Sequence, residues 1–220
     1  MMSIITIERK VLERNDEIAD ANRARFREHG LFVFNIVSSP GAGKTSLLER
    51  TIETLRGQMR IGVVEGDVQT DFDAQRVARY GVPAVQIVTN GGCHLEARLV
   101  RDALDTLDLG ALDLLVIENV GNLVCPANYD LGEALKVVVL STTEGDDKPL
   151  KYPGMFRRAS VLVINKIDLL PYVNAKVETI EKHACDINPS LTIFQTSCTT
   201  GAGIPQWCEW LRQQVAAAGA

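Results

Sequence analysis

Short apolar runs alternate with amphipathic stretches along this chain. Runs at residues 31–37, 60–65, 84–88, 112–117, 134–140, 160–164 and 191–195 are built mainly from Val, Ile and Leu. Runs of this length, apolar on alternate and intervening positions alike, predict strands buried on both faces. Between them, residues 44–55, 71–80, 94–107, 173–183 and 204–218 carry helical patterns. Upstream, Val11, Leu12, Ile18, Ala19 and Phe26 recur near helical spacing over residues 11–27. They predict an N-terminal helix outside the central sheet, ended at His29-Gly30. Strands alternating with helices predict an α/β fold, a mostly parallel sheet with helices on both faces. No repeat or linker divides the chain, so residues 1–220 read as one domain with a helical extension over 1–30.

The turn after the first strand carries the chemistry. Ser38-Ser39-Pro40-Gly41-Ala42-Gly43-Lys44-Thr45 lies between strand 31–37 and the helical start at Ser46. A strand, a Gly-rich turn and a helix N-terminus form a phosphate cradle, in which backbone N–H groups point at the anion. This makes the fold a P-loop NTPase. Pro40, Gly41, Ala42, Gly43, Lys44, Thr45 and Ser46 are the expected phosphate-binding residues. Lys44 is expected to reach the β/γ-phosphates and the Thr45 hydroxyl to hold Mg²⁺. The pattern G-x-x-x-x-G-K-[ST] departs from its ideal at one place, where Ser38 stands for Gly. A plain turn with a helix cap is the alternative.

Two downstream elements choose the base. Asn165-Lys166-Ile167-Asp168 follows strand 160–164 and resembles the N-K-x-D element of GTP-binding proteins. A carboxylate accepts from both guanine N1–H and N2–H₂, a donor pair that adenine lacks, so Asp168 selects guanine. Asn165 is expected to tie this loop to the P-loop, and the Lys166 stem to cover one face of the base. Ser197 and Cys198, in Thr196-Ser197-Cys198-Thr199-Thr200-Gly201, occupy the place of the element that contacts guanine O6. Glu118-Asn119-Val120-Gly121 stands where D-x-x-G is usual, with Gly121 to sense the γ-phosphate and Glu118 in place of Asp. Asp67, after another strand, is a second carboxylate at the same sheet edge, able to contact Mg²⁺ or position water. Lys44, Asp67, Glu118 and Gly121 form the expected catalytic set. Thr70 and Asp73 read as helix caps. No glutamine stands where it would orient water, so hydrolysis should be slow, about 10⁻⁴–10⁻² s⁻¹.

Composition narrows the rest. A hydrophobic fraction of 46% with 23% charged residues is ordinary for a globular domain. The net charge of −5 gives no reason to expect nucleic acid as a partner. No apolar run approaches the roughly 18–20 residues that span a bilayer, and residues 1–10 lack a signal-peptide pattern, so no membrane association and a cytoplasmic location are expected. Five cysteines in that setting point to metal binding or packing before disulfides. Cys93 and His94 are adjacent, and Cys125 follows Gly121 by four residues. Thiolates with imidazole suit Zn²⁺ or Ni²⁺, though a Cys-His dipeptide is more often simply packed. Cys185, Cys198 and Cys208 read as small buried residues, and His29 and His183 as surface or helix-end residues.

These segments together resemble the hydrogenase nickel-incorporation GTPase (HypB) family. The resemblance runs from residue 39 to 168. It is carried by the P-loop, Glu65-Gly66-Asp67, Gly92-Cys93-His94-Leu95-Glu96-Ala97, residues 118–126, residues 144–153 and Asn165-Lys166-Ile167-Asp168. It implies GTP and GDP as ligands, Ni²⁺ or Zn²⁺ on Cys93, His94 and Cys125, and a homodimer near that metal site. It also implies a task in delivering nickel to the hydrogenase large subunit, with a second maturation metallochaperone as partner. Some members carry an N-terminal C-x-x-C-G-C site or a His-rich tract. Here no Cys precedes Cys93 and only His29 precedes His94, so neither is expected. Because Cys125 shares a loop with Gly121, GTP is expected to set the dimer and metal geometry and hydrolysis to reset them. Asp147, Lys148 and Lys151 fall in a loop assigned to nucleotide or dimer contacts, or to a merely solvated charge cluster.

Three rivals remain at this level. A urease-type nickel GTPase shares the scaffold but uses C-P-H, and no Pro separates Cys93 from His94. A small-molecule kinase using ATP conflicts with Asp168. A GTP-binding interaction module would hold no metal.

Overall fold

The computed structural model describes residues 7–68 and 72–219. The apolar runs become seven strands: β1 (Phe32–Ser38), β2 (Ile61–Asp67), β3 (Ala84–Val88), β4 (Leu114–Glu118), β5 (Leu135–Ser141), β6 (Val161–Asn165) and β7 (Thr192–Gln195). They form one sheet in the order β3-β2-β4-β1-β5-β6-β7. Every pairing is parallel, as strands connected through helices require.

The helices are α1 (Ile7–Glu28), α2 (Lys44–Leu55), α3 (Phe72–Ala78), α4 (Ala97–Leu104), α5 (Lys148–Lys151), α6 (Pro153–Arg158), α7 (Val177–Ile187) and α8 (Ile204–Ala218). One sheet face packs Phe34, Ile36, Val116 and Val139 against α2 and α8. There Trp207 is fully buried, meets Phe34 edge-on and donates from Nε1 to Thr51 Oγ1 at 2.9 Å. On the other face Val33, Ile117 and Leu115 pack with Phe26 of α1 and Val100 and Leu104 of α4. Val138, Leu140 and Leu162 pack with Met155, Phe156 and Ile180. α1 thus lies on the sheet's flank, its Ala19, Asn22 and Phe26 buried.

Three local expectations shift. The helix expected over 94–107 starts only at Ala97. Leu95 is fully buried against Gly66, which holds residues 92–96 out of the helix. The helix expected from 173 starts at Val177, because a 3₁₀ stretch containing Pro171 occupies Ile167–Tyr172 and Val173 is extended. The loop expected around Lys148 is a one-turn helix, α5, with Pro149 in its first turn. Cys208 is buried as expected, while Cys185 and Cys198 are only half-buried.

The register decides what the sheet edge carries. Glu118 aligns with both Ile36 and Glu65, and Asn165 with Ser141. The carboxyl ends of the strands therefore bring Ser38, Asp67, Glu118 and Asn165 to one edge, where ligands of open parallel sheets bind.

Candidate functional site

The P-loop closes over that edge as a cleft of about 470 Å³, lined by Gly43, Lys44, Thr45, Asp67, Gly121 and Lys166 among others. Gly43 has φ +101°, and a Cβ there would stand 2.5 Å from Asn165 Nδ2. Only glycine meets both demands. Ser38, the departure from the P-loop pattern, is the last residue of β1 and fully buried. Its hydroxyl accepts from Lys44 Nζ at 3.2 Å, so the serine holds the lysine in the cleft instead of disturbing the loop. Lys44 also lies 4.0 Å from Glu118. Thr45 Oγ1 donates to Glu118 Oε1 at 2.7 Å, and Glu118 is buried. Glu118 therefore reaches the threonine hydroxyl expected to face Mg²⁺. Asp67 lines the cleft and accepts from Val68 N through Oδ1. Thr45, Asp67 and Glu118 are hard oxygen donors of the kind Mg²⁺ takes. Ala42 is buried beneath the loop, and Ser46 lies within reach of Arg76.

The base loop meets the P-loop through Asn165. Its Nδ2 donates to Ala42 O at 3.1 Å, and its Oδ1 accepts from Thr196 Oγ1 at 3.2 Å and from Cys198 Sγ at 3.5 Å. Lys166 adopts φ +61° and donates from Nζ to Gly41 O at 2.7 Å, laying its stem beside the cleft. Asp168 Oδ1 is buried and has no hydrogen-bond partner among the described residues. A buried carboxylate oxygen without a donor is one that a base N–H can satisfy. Ser197 is fully buried and its hydroxyl accepts from Thr200 N at 3.1 Å, shaping the turn beside it. Burial lifts the Cys198 thiol above its ordinary range.

Gly121 and Cys125, of the group formed by Cys93, His94 and Cys125, lie along one stretch of chain. A Cβ on Gly121 would meet Pro40 at 3.1 Å, so this glycine rests directly on the P-loop. Four residues later Cys125 opens a 3₁₀ turn, Cys125–Ala127. Cys93, His94 and Cys125 each offer one ligand atom, all within 4.8 Å of one another. Cys93 Sγ lies 3.4 Å from His94 Nδ1. The His94 ring packs at 3.9 Å on Tyr129, and its buried Nε2 has no hydrogen-bond partner among the described residues. Burial depresses the His94 pKa, favouring the neutral imidazole that metals bind. A hydrogen bond with Cys125 leads the causes that lift the Cys93 thiol. Two thiols and one imidazole at this separation form the donor set of a soft-to-borderline divalent ion.

Several contributors were missed from sequence. Asn119, Asn122, Asn35 and Lys136 hold the loops that carry the cluster. Asn35 and Lys136 announce themselves only as polar interruptions in apolar strands. Arg76 of α3 lines the cleft and pairs with Glu49 at 2.6 Å. Lys148 reaches Ser39 Oγ at 3.5 Å and Glu144 at 3.4 Å, which favours the nucleotide side of the earlier alternative. Lys151 makes only an exposed pair with Asp147. His29 is exposed, and His183 contacts Asp146 O through Nδ1. Thr70 and the Asp73 side chain lie outside the described residues.

The family described as CobW/HypB/UreG, nucleotide-binding domain matches residues 32–195. The chain is 53% identical over 211 residues to the hydrogenase maturation factor HypB of Azotobacter vinelandii, covering 96% of this chain and 70% of that one. It is similar to the crystal structure of Helicobacter pylori HypB in complex with nickel, with a TM-score of 0.89, 40% identity and coverage of 93% and 96%. It is also similar to the crystal structure of HypB from Archaeoglobus fulgidus, with a TM-score of 0.87, 42% identity and coverage of 92% and 99%.

Proposed function

Because the chain belongs to the HypB hydrogenase maturation factors of the CobW/HypB/UreG family, we propose that it is a GTP-hydrolysing metallochaperone that assists nickel insertion into [NiFe] hydrogenase. The observation that carries this reading is the single loop joining Thr45–Glu118 at one end to Cys125 at the other. In this reading Asp168, Lys166, Asn165, Ser197 and Cys198 receive guanine. Pro40 through Ser46 receive the phosphates, with Lys44 neutralising charge on the β/γ oxygens. Thr45 and Asp67 would hold Mg²⁺, which would neutralise charge developing on the β- and γ-phosphate oxygens. Glu118 holds the Thr45 hydroxyl in place, and Gly121 registers the γ-phosphate through its contact with Pro40. Hydrolysis is slow in this reading, because no glutamine lines the cleft among the described residues.

Nickel is the cargo. Cys93, His94 and Cys125 bind it and leave a coordination position for an acceptor, and Zn²⁺ competes for the same donors. The nickel complex of the Helicobacter pylori relative supports this assignment. A homodimer formed in the GTP state, a second metallochaperone that supplies the ion, the hydrogenase large subunit that receives it and a cytoplasmic location complete the proposal. No helix among the described residues is long and apolar enough to cross a membrane.

The test is a Ni²⁺ titration followed by native mass spectrometry, with light scattering for the dimer. The wild type binds the ion and the Cys93→Ala, Cys125→Ala double variant does not, while both prefer GTP to ATP in competition. Unchanged metal stoichiometry in the double variant, or equal competition by ATP, refutes the reading.

A further inference from the structure

Asn119 stands between the two candidate sites. It follows Glu118 directly, lies two residues before Gly121 and is 1% exposed. Its own N–H donates to Ile36 O at 3.0 Å, which fixes its backbone to β1. Asn119 is not among the residues lining the nucleotide cleft, and its side chain bonds instead toward the segment that carries His94. Oδ1 accepts from Val120 N and from Leu95 N, both at 3.0 Å. Leu95 follows His94, so the bond ends one residue from a metal ligand. Leu95 is also fully buried, with no freedom to slide independently of that bond. Its side chain packs against Gly66, next to Asp67.

The other side of the Asn119 amide leads to the second metal arm. Nδ2 donates to Asn35 Oδ1 at 3.3 Å, and Asn35 Nδ2 donates to Glu133 Oε1 at 3.2 Å. Glu133 pairs with Lys136 at 3.5 Å. Lys136 Nζ donates to Pro126 O and Tyr129 O, both at 3.0 Å. Pro126 follows Cys125, and the Tyr129 ring packs tilted against His94. The polar chain therefore starts at the switch and touches both segments that bear metal ligands. It runs through buried side chains, where a hydrogen bond that is broken and not replaced leaves a polar group unsatisfied. A satisfied network of this kind rigidifies the segments it joins, so a change at one link is felt at the others.

We propose that Asn119 is the positioning residue through which the nucleotide state sets the geometry of the Cys93–His94 pair. The assignment rests on the GTP-linked metal site proposed above. A displacement of Gly121 against Pro40 rotates the 119–121 backbone, and Asn119 Oδ1 either keeps or loses Leu95 N. His94 then closes on Cys125 or withdraws from it.

The experiment compares Ni²⁺ affinity in the GDP and GTP-analogue states of the full chain, wild type against Asn119→Ala. The wild type shows a ratio of at least about 5, the lower end of ordinary coupling between sites. In Asn119→Ala the ion still binds, and the ratio falls towards 1. A wild-type ratio retained by a folded Asn119→Ala overturns the assignment alone. A wild-type ratio of 1 overturns the GTP-linked reading and this assignment with it.

A second measurement needs no variant. Amide exchange at Leu95, held by Asn119, should differ several-fold between the two nucleotide states. Exchange at Ala97, whose N–H donates instead to Asn15 Oδ1 of α1 at 2.9 Å, should not. Equal responses at Leu95 and Ala97 contradict the proposal.

Discussion

Replacing Lys136 by Met removes a cation that the fold has buried on purpose. Lys136 is 8% exposed, lies 3.5 Å from Glu133 and holds two backbone carbonyls of the segment 126–129. Methionine fits the stem's volume, so the loss is electrostatic. Removing one member of a buried ion pair costs about 3–5 kcal/mol, because the remaining charge is stranded. Glu133 keeps two other donors, Leu131 N and Asn35 Nδ2, which puts the expected loss near the lower end of that range.

The size of the loss depends on pH, and its sign is fixed by Glu133. Burial already pushes the Glu133 carboxyl above its ordinary value, with Lys136 opposing. A folded pKa above the unfolded one favours the folded state at low pH and withdraws that favour as pH rises through the folded value. Without Lys136 the folded value climbs further, and each extra unit is worth about 1.4 kcal/mol. Lys136→Met should therefore lose about 3 kcal/mol at pH 8 and less at pH 5, because falling pH favours the protonated carboxyl that the raised folded value already favours. Urea unfolding at both pH values, with an unchanged m-value, measures this directly. Adding Glu133→Gln should restore part of the stability at pH 8. Equal losses at pH 5 and pH 8, or a loss below about 1 kcal/mol at pH 8, would refute the reasoning.

Asp168→Asn removes charge-assisted acceptors worth about 1.5–3 kcal/mol, so guanine-nucleotide affinity should fall about 10–100-fold with stability intact. Competition against a fluorescent GDP analogue checks it, and undiminished binding would exclude the carboxylate from base recognition. Gly43→Ala combines φ +101° with a contact of 2.5 Å to Asn165 Nδ2. It should abolish nucleotide binding and lower stability by at least about 1 kcal/mol, read by equilibrium dialysis and thermal unfolding. Ni²⁺ binding should strengthen as pH rises and release protons, because the Cys93 thiol is held above its ordinary range and must ionise to bind. Isothermal titration in buffers of different ionisation enthalpy detects those protons, and pH-independent affinity would rule out thiolate ligands.

Most of the architecture was legible because its cause is local. Strands buried on both faces leave continuous apolar runs, so β1 and β5 each fall within one residue of the expected boundaries. The P-loop was equally readable, since glycines, lysine and threonine act within one turn. Helix starts were less so. Nothing near Leu95 says that Gly66 will hold its side chain or Asn119 its amide, so the helical spacing over residues 94–96 misled. The same limit hid the polar chain beneath the metal cluster. Asn35 and Lys136 are visible as oddities, but Asn35 meets Glu133 across 98 residues and Asn119 across 84. Only the strand order brings them together.

The central claim is that nucleotide and nickel share one switch loop, and thermodynamic reciprocity tests it most directly. GDP and GTP-analogue affinities should be measured with and without Ni²⁺. The account predicts that Ni²⁺ shifts the ratio of the two nucleotide affinities by the same factor by which nucleotide exchange shifts Ni²⁺ affinity. Nucleotide affinities that ignore saturating Ni²⁺ would contradict it.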